Sequence, residues 1–265
     1  MNKAIAIDAR AGTTFKGVMQ EIHPSLKLCG TSDKYLLNIS DELLTYVKSV
    51  LQDDSTLAPA VSLDEWSSLL DFLQANWMVP FVYRKIGSMS QECLPPETIT
   101  DEMRQVFLVS CVRSVHMERQ LQEIIEAFLD QGVRVLVLRG PALAFSLYDD
   151  PAMRPSGDLD LLVIPEHVVQ ARDILESLGY RCLARRFETA RDFFREECFV
   201  HQENPENKFP VDLHWVHWEL HPFFKGSEKV DIEDLFERAW KVETPTLAFE
   251  TLHPVDYLIH SAIHL

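Results

Sequence analysis

Arg154-Pro155-Ser156-Gly157-Asp158-Leu159-Asp160-Leu161-Leu162-Val163-Ile164 sets two aspartates in alternation with leucine at the head of an apolar run. A β-strand sends residues i and i+2 to the same face. Asp158 and Asp160 therefore point together, while Leu159 and Leu161 enter a core. Burying one carboxylate beside another is costly unless something positive lies between them. A divalent cation is the usual answer for oxygen ligands, and two such ions are a common device in phosphoryl chemistry.

Upstream of this stretch, residues 133–138 read as a strand from their β-branched content. Gly140-Pro141 follows, with Pro141 well placed at the first position of a short helix over 142–148. A turn at Asp149-Asp150-Pro151 leads to the strand over 158–164. Downstream, Pro165 and Glu166 open a helix that runs to Leu178 and closes at Gly179. Further strands are expected over 180–184, 198–202 and 209–215, the last two joined by a hairpin-like turn over 203–207. Helices follow over 231–239 and 254–265.

The first half has helical spacing instead. Residues 1–35 read as a weakly structured leader with turns at Gly12 and Gly30. Ser40 is a plausible helix N-cap, and Ser62 with Glu65 forms a capping box ahead of Trp66, Leu69, Leu70 and Leu73. Val79-Pro80 marks a break and then a short helix. A long helix is predicted over 98–131, with Gly132 as its C-terminal stop. The chain thus divides into a helical N-terminal region (1–131), a mixed α/β core (132–243) and a C-terminal helical region (244–265). It stops inside a predicted helix, as a fragment of a longer protein would. The expected class is α+β, with a helical region beside a small mixed sheet.

Composition narrows the function. The 265 residues are 46% hydrophobic and 25% charged, as in a packed globular protein. No apolar run is long enough for a membrane helix, and the N-terminus is a poor secretory signal. Five scattered cysteines with no C-x-x-C pair fit a reduced, cytoplasmic protein. The net charge of −16 argues against long nucleic acid. Residues 131–200 are nearly neutral, and their basic side chains are all arginines, which suit bidentate phosphate contacts.

A third carboxylate lies in Val211-Asp212-Leu213-His214-Trp215. Alternation puts Asp212 on the polar face of a strand, and it completes a three-carboxylate site if that strand neighbours the first. Spacing alone also allows Asp158 as a strand-start residue and Asp212 as a surface one. Gly140 opens a helix straight after a strand, where free N–H groups suit a phosphate. Arg154 stands four residues before Asp158 and can reach a phosphate tail. A zinc site is a rival reading, because Asp212, His214, His217 and His221 are all possible ligands, although His217 is out of phase on a strand.

Together these elements resemble the nucleotidyltransferase superfamily of the DNA polymerase β type over about residues 133–240. The spelling resembles more closely a bacterial group of uncharacterised nucleotidyltransferases. The three segments that carry the likeness are Leu138-Arg139-Gly140-Pro141-Ala142-Leu143, Arg154 to Val163, and Val211 to Trp215. Arg139 stands where lysine is usual, and Pro141 replaces the serine of the superfamily's Gly-Ser pair. The resemblance implies that Asp158, Asp160 and Asp212 bind two Mg²⁺ ions. It implies that Arg139, Gly140 and Arg154 neutralise a nucleoside triphosphate, and that Asp212 helps deprotonate an acceptor hydroxyl. A nucleoside monophosphate would move to that acceptor, a small molecule, peptide or protein, with release of pyrophosphate. The alternative is a catalytically silent nucleotide- or protein-binding module on the same fold.

Overall fold

The computed structural model describes residues 39–54, 56–183, 196–215 and 231–263. The predicted leader over 1–35 lies outside these residues. The first helix, α1 (Asp41–Leu51), starts where the Ser40 side chain accepts from the Leu43 N–H. In α2 (Leu63–Ala75) the capping box forms as expected, with Ser62 and Glu65 each satisfying the other's backbone N–H. Pro80 sits in the first turn of α3 (Val79–Ile86), where its missing N–H costs nothing. Leu43, Trp66, Leu70 and Val82 pack these helices into one apolar cluster.

The 34-residue α4 (Glu97–Asp130) is about 51 Å long at 1.5 Å per residue. Its N-terminal part, through Ile99 and Met103, joins the helical cluster. Its C-terminal part, through Met117, Leu121, Ile124 and Phe128, joins the core under the sheet. One helix therefore ties both cores together.

Gly132 at φ 71° ends α4, and the Val133 N–H caps it by donating to the Phe128 carbonyl. This explains why β1 is only Leu136–Leu138 and not the predicted 133–138. The residues just after Gly132 are used in the cap. The chain continues through α5 (Arg139–Leu147), β2 (Leu159–Leu162), α6 (Val168–Ser177), β3 (Tyr180–Cys182), β4 (Glu196–His201) and β5 (Val211–His214). It ends through α7 (Ile232–Glu237), β6 (Trp240–Glu243), β7 (Ala248–Thr251) and α8 (Pro254–Ile263).

The seven strands form one mixed sheet in the order β3-β4-β5-β2-β1-β7-β6. β2 runs antiparallel to β1 and parallel to β5, and β7 runs parallel to β1. The β6–β7 hairpin was not anticipated from the sequence. Its turn is closed by Thr244, whose hydroxyl donates to the Leu247 carbonyl and accepts from the Leu247 N–H. Residues 248–251, assigned by the sequence division to the C-terminal helical region, thus belong to the sheet. Leu159, Leu161, Val211 and Leu213 are fully buried on one pleat of the two central strands. Gln120 fastens α4 to the start of β5 by a two-way bond with the Phe209 backbone, both contacts at 2.8 Å. No helix among the described residues is long and apolar enough to cross a membrane.

Candidate active site

The parallel pairing of β2 and β5 brings Asp160 directly opposite Asp212. Asp158 lies two residues upstream of Asp160, at the mouth of β2. Asp158 stands in the bend just before the strand and feels the charges of both Asp160 and Asp212, so the three predicted carboxylates lie toward the same side of the sheet. The leucine–valine pleat below them is what forces this. A one-residue slip would bury the acids and expose Leu159, Leu161, Val211 and Leu213.

Asp160 is only 4% exposed. His214, two residues beyond Asp212 on the same strand face, holds it through Nε2, 2.9 Å from Asp160 Oδ1. The other ring nitrogen of His214 lies 3.4 Å from Glu196 Oε2. Cys198 on β4 pairs in register with Asp212. Burial, chiefly, pushes the Asp158 carboxyl above its ordinary range, and the neighbouring charges of Asp160 and Asp212 push the same way; Arg139 and a Ser156 hydrogen bond oppose them. Burial also raises Asp212, against a stabilising hydrogen bond from Cys198. The Cys198 thiol is itself pushed up to about 12 by burial and by the Asp212 carboxylate.

Among the described residues, no three His, Cys, Asp or Glu side chains converge as a ready-made metal cage. The acids share a face, with Asp160 engaged by His214 and Asp212 by Cys198. Their chemistry fits a hard divalent cation nonetheless. Three oxygen-donor groups on one face, two of them raised by burial and by neighbouring acids, are the kind of donors that such an ion takes.

The turn from β1 into α5 faces the acids. Arg139 takes a left-handed backbone, φ 48°, and its Nε donates to His260 Nε2 on α8 at 2.9 Å. Arg154 Nη1 donates to the Gly140 carbonyl at 2.9 Å. Gly140 is packed so closely under Ser156 that a Cβ there would lie 1.9 Å from Ser156 Oγ. The serine missing after Gly140 in sequence thus has a hydroxyl of another residue beside that glycine. The Ser156 hydroxyl donates to the Asp158 carbonyl, Arg113 of α4 donates to the Ser156 carbonyl, and Ser110 donates to the Ala152 carbonyl. The loop that delivers Asp158 is therefore pinned from α4.

A cleft of about 700 Å³ opens here, a size usual for ligand sites. One wall carries Arg139, Gly140, Arg154, Asp158 and Asp160, and the other comes from the α2–α3 elbow at Trp77, Met78 and Phe81. Asp212 is not in its lining, so the cleft approaches the acids from the Asp158 side.

In the sequence His214 reads as a zinc candidate, although its i+2 spacing from Asp212 already places it on the acid face. Ser110, Arg113 and Gln120 carried no local signal, since their partners lie 42, 43 and 89 residues away. His217 and His221 of the zinc reading, and Arg185, Arg186, Arg191 and Arg195, lie outside the described residues.

Among solved structures, the lincosamide antibiotic adenylyltransferase LnuA, lincomycin-bound, is 16% identical with a TM-score of 0.38 over 54% of this chain and 84% of that one. ANT(2")-Ia in complex with adenylyl-2"-tobramycin is 14% identical with a TM-score of 0.39 over 55% and 76%. No curated protein matches the chain. The family described as "Uncharacterised nucleotidyltransferase" matches residues 62–265, from the capping box of α2 through the carboxylate strands to α8. The chain belongs to that family and is a nucleotidyltransferase.

Proposed function

We propose that the chain moves a nucleoside monophosphate from a nucleoside triphosphate to the hydroxyl of an acceptor, with release of pyrophosphate, in a Mg²⁺-dependent reaction. The observation that supports this most is the in-register pairing of Asp160 with Asp212, with Asp158 on the same face. Asp158, Asp160 and Asp212 would hold the divalent cations. Bound there, such ions supply charge neutralisation at the α-phosphate and its leaving oxygen.

The remaining work falls to the chain's own groups. Arg139 and Arg154 bring positive charge to the triphosphate, and the first N–H groups of α5 point toward anions. Asp212 stands on the strand next to the triphosphate side, where an acceptor hydroxyl can reach it. Its carboxylate can take the hydroxyl proton as general base. The acceptor oxygen then forms the bond to the α-phosphorus as the bond to the β-phosphate oxygen breaks. Burial of the acid face and the pinned 150–158 loop keep these groups in place, which is where positioning contributes most.

Incubation of the protein with labelled nucleoside triphosphates, Mg²⁺ and a cell extract identifies the acceptor by what becomes labelled. Asp158→Ala and Asp212→Ala should each abolish pyrophosphate release while circular dichroism stays unchanged. Full turnover in either variant overturns the assignment of these acids. Metal-dependent nucleotide binding with no transfer to any acceptor assigns a silent binding module instead.

A further inference from the structure

Helix α2 ends in a backbone motif that ordinarily calls for glycine. Asn76 is the C-cap, the Trp77 N–H donates to the Gln74 carbonyl at 3.1 Å, and the Met78 N–H donates to the Leu73 carbonyl at 2.8 Å. This is the Schellman pattern, whose first residue past the cap takes the left-handed conformation and is usually glycine. Here it is Trp77, at φ 58°. A bulky aromatic residue is a real outlier at positive φ. Burial does not explain the choice either, because Trp77 is 46% exposed. A strained, exposed tryptophan at the lip of a cleft is an observation that calls for a ligand.

The cleft lining has two chemically distinct parts. One is aromatic, with Trp77, Met78 and Phe81, whose ring meets Tyr148 edge-on at 5.9 Å. The other is charged, with Arg154 and Asp158. A flat ring attached to a polyanionic chain matches both parts together. An acceptor that approaches Asp212 would not match, since Asp212 is outside the cleft lining. Building on the nucleotidyl-transfer reading, we propose that Trp77 is the stacking platform for the nucleobase of the bound nucleoside triphosphate, with Phe81 and Tyr148 beside it. Stacking of this kind tolerates every base, because each has a π face. Purine triphosphates should therefore bind better than pyrimidine ones by ring size alone, without strict base choice.

The test compares two probes, Mg²⁺-ATP and Mg²⁺-tripolyphosphate, by calorimetric titration of the full chain. Trp77→Gly should weaken ATP about ten-fold or more, the worth of one base–aromatic stack. It should leave tripolyphosphate affinity unchanged and leave the melting temperature equal or higher, because glycine fits the position. Trp77→Phe should retain most of the ATP affinity. Unchanged ATP affinity in Trp77→Gly overturns the base platform, and so does an equal loss for both probes. Asp158→Asn tests the underlying reading separately and should weaken both probes. If it weakens both while Trp77→Gly weakens neither, the base platform alone falls. If Asp158→Asn weakens neither, the transfer reading falls whatever Trp77 does.

Discussion

Replacing Gly140 by alanine puts a methyl carbon 1.9 Å from Ser156 Oγ and 2.7 Å from Ser156 Cβ. To reach ordinary contact at 3.4 Å, the hydroxyl oxygen must retreat by about 1.5 Å and the Cβ by about 0.7 Å. Rotating the serine removes only the first collision, because Cβ belongs to the loop itself. That loop is held by Arg113, which donates to the Ser156 carbonyl at 3.0 Å, and by the Ser156 hydroxyl, which donates to the Asp158 carbonyl at 3.1 Å. Relief therefore displaces the segment that delivers Asp158. Gly140 lies within α5, so without the collision alanine would stabilise the helix by about 1 kcal/mol. Overpacking costs about 1–3 kcal/mol, and a collision with both Oγ and Cβ falls in the upper part of that range, about 2–3 kcal/mol, which reverses the sign.

The expected result for Gly140→Ala is a net loss of about 1–2 kcal/mol, or roughly 2–8 °C in melting temperature. Turnover should fall about 100-fold, the usual consequence of a misplacement near 1 Å. Ser156→Gly removes both colliding atoms. In that background Gly140→Ala should return to neutral or mildly stabilising. Urea unfolding of the four proteins then gives a coupling energy of about 2–3 kcal/mol, well above the roughly 0.5 kcal/mol scatter of independent sites. Additive single effects, or a Gly140→Ala protein as stable and active as the parent, would refute the reasoning.

The Gln120 bridge should carry stability rather than chemistry. Gln120→Leu leaves both the N–H and the carbonyl of Phe209 without their partner in a buried place, a loss of about 2–4 kcal/mol read by urea unfolding; a loss under 0.5 kcal/mol would mean that β5 is positioned by other contacts. A pH effect follows from the raised proton affinities of Asp158 and Asp212. The folded state holds these protons to higher pH than the unfolded chain does. Their contribution is therefore favourable below the ordinary carboxylate range, near about 4, and is lost as pH rises through the raised folded values. In chelator-treated protein, Asp158→Asn should accordingly raise the melting point at pH 7, by about 1 kcal/mol, and change it less at pH 4. Calorimetry at the two pH values checks this, and destabilisation at both would sink it.

The parts of the molecule legible in the sequence were those written by local rules. Ser62 with Glu65, Gly132 and the two-residue spacing of Asp158 and Asp160 each specify a local geometry without help from distant residues. The pairing of β2 with β5 was conditional in the sequence, because register depends on contacts 52 residues apart; in the observed register Leu159, Leu161, Val211 and Leu213 are all buried. Where two rules competed, the sequence misled. Val133 and Val135 have strand propensity, yet residue 133 is taken by the cap of α4. The β6–β7 hairpin was missed because Thr244-Pro245-Thr246 lacks the glycine or asparagine that marks a tight turn, and the Thr244 side chain supplies the closing bonds instead. His214, Cys198 and Ser156 act on the acids and the glycine across strands and loops, a relation that spacing cannot express.

Two features on opposite walls of one cleft are unfavourable when taken alone. Trp77 holds a left-handed backbone and exposes its indole. Asp158 holds a carboxyl whose ionisation is opposed by burial and by the charges of Asp160 and Asp212. Local conflicts that a protein keeps in its folded state tend to sit where a ligand resolves them. A metal ion alone would answer the acids and leave the indole exposed. A flat uncharged molecule would cover the indole and leave the acids in conflict. On the proposed reading, a nucleoside triphosphate carrying a divalent cation would answer both at once, with its ring at the elbow and its metal-bound phosphates beside Gly140, Arg139 and Arg154. On that reading the helical region would do more than prop up the sheet: by carrying Trp77 to the mouth of a site built on β2 and β5, it would make recognition of the nucleotide depend on both cores that α4 joins.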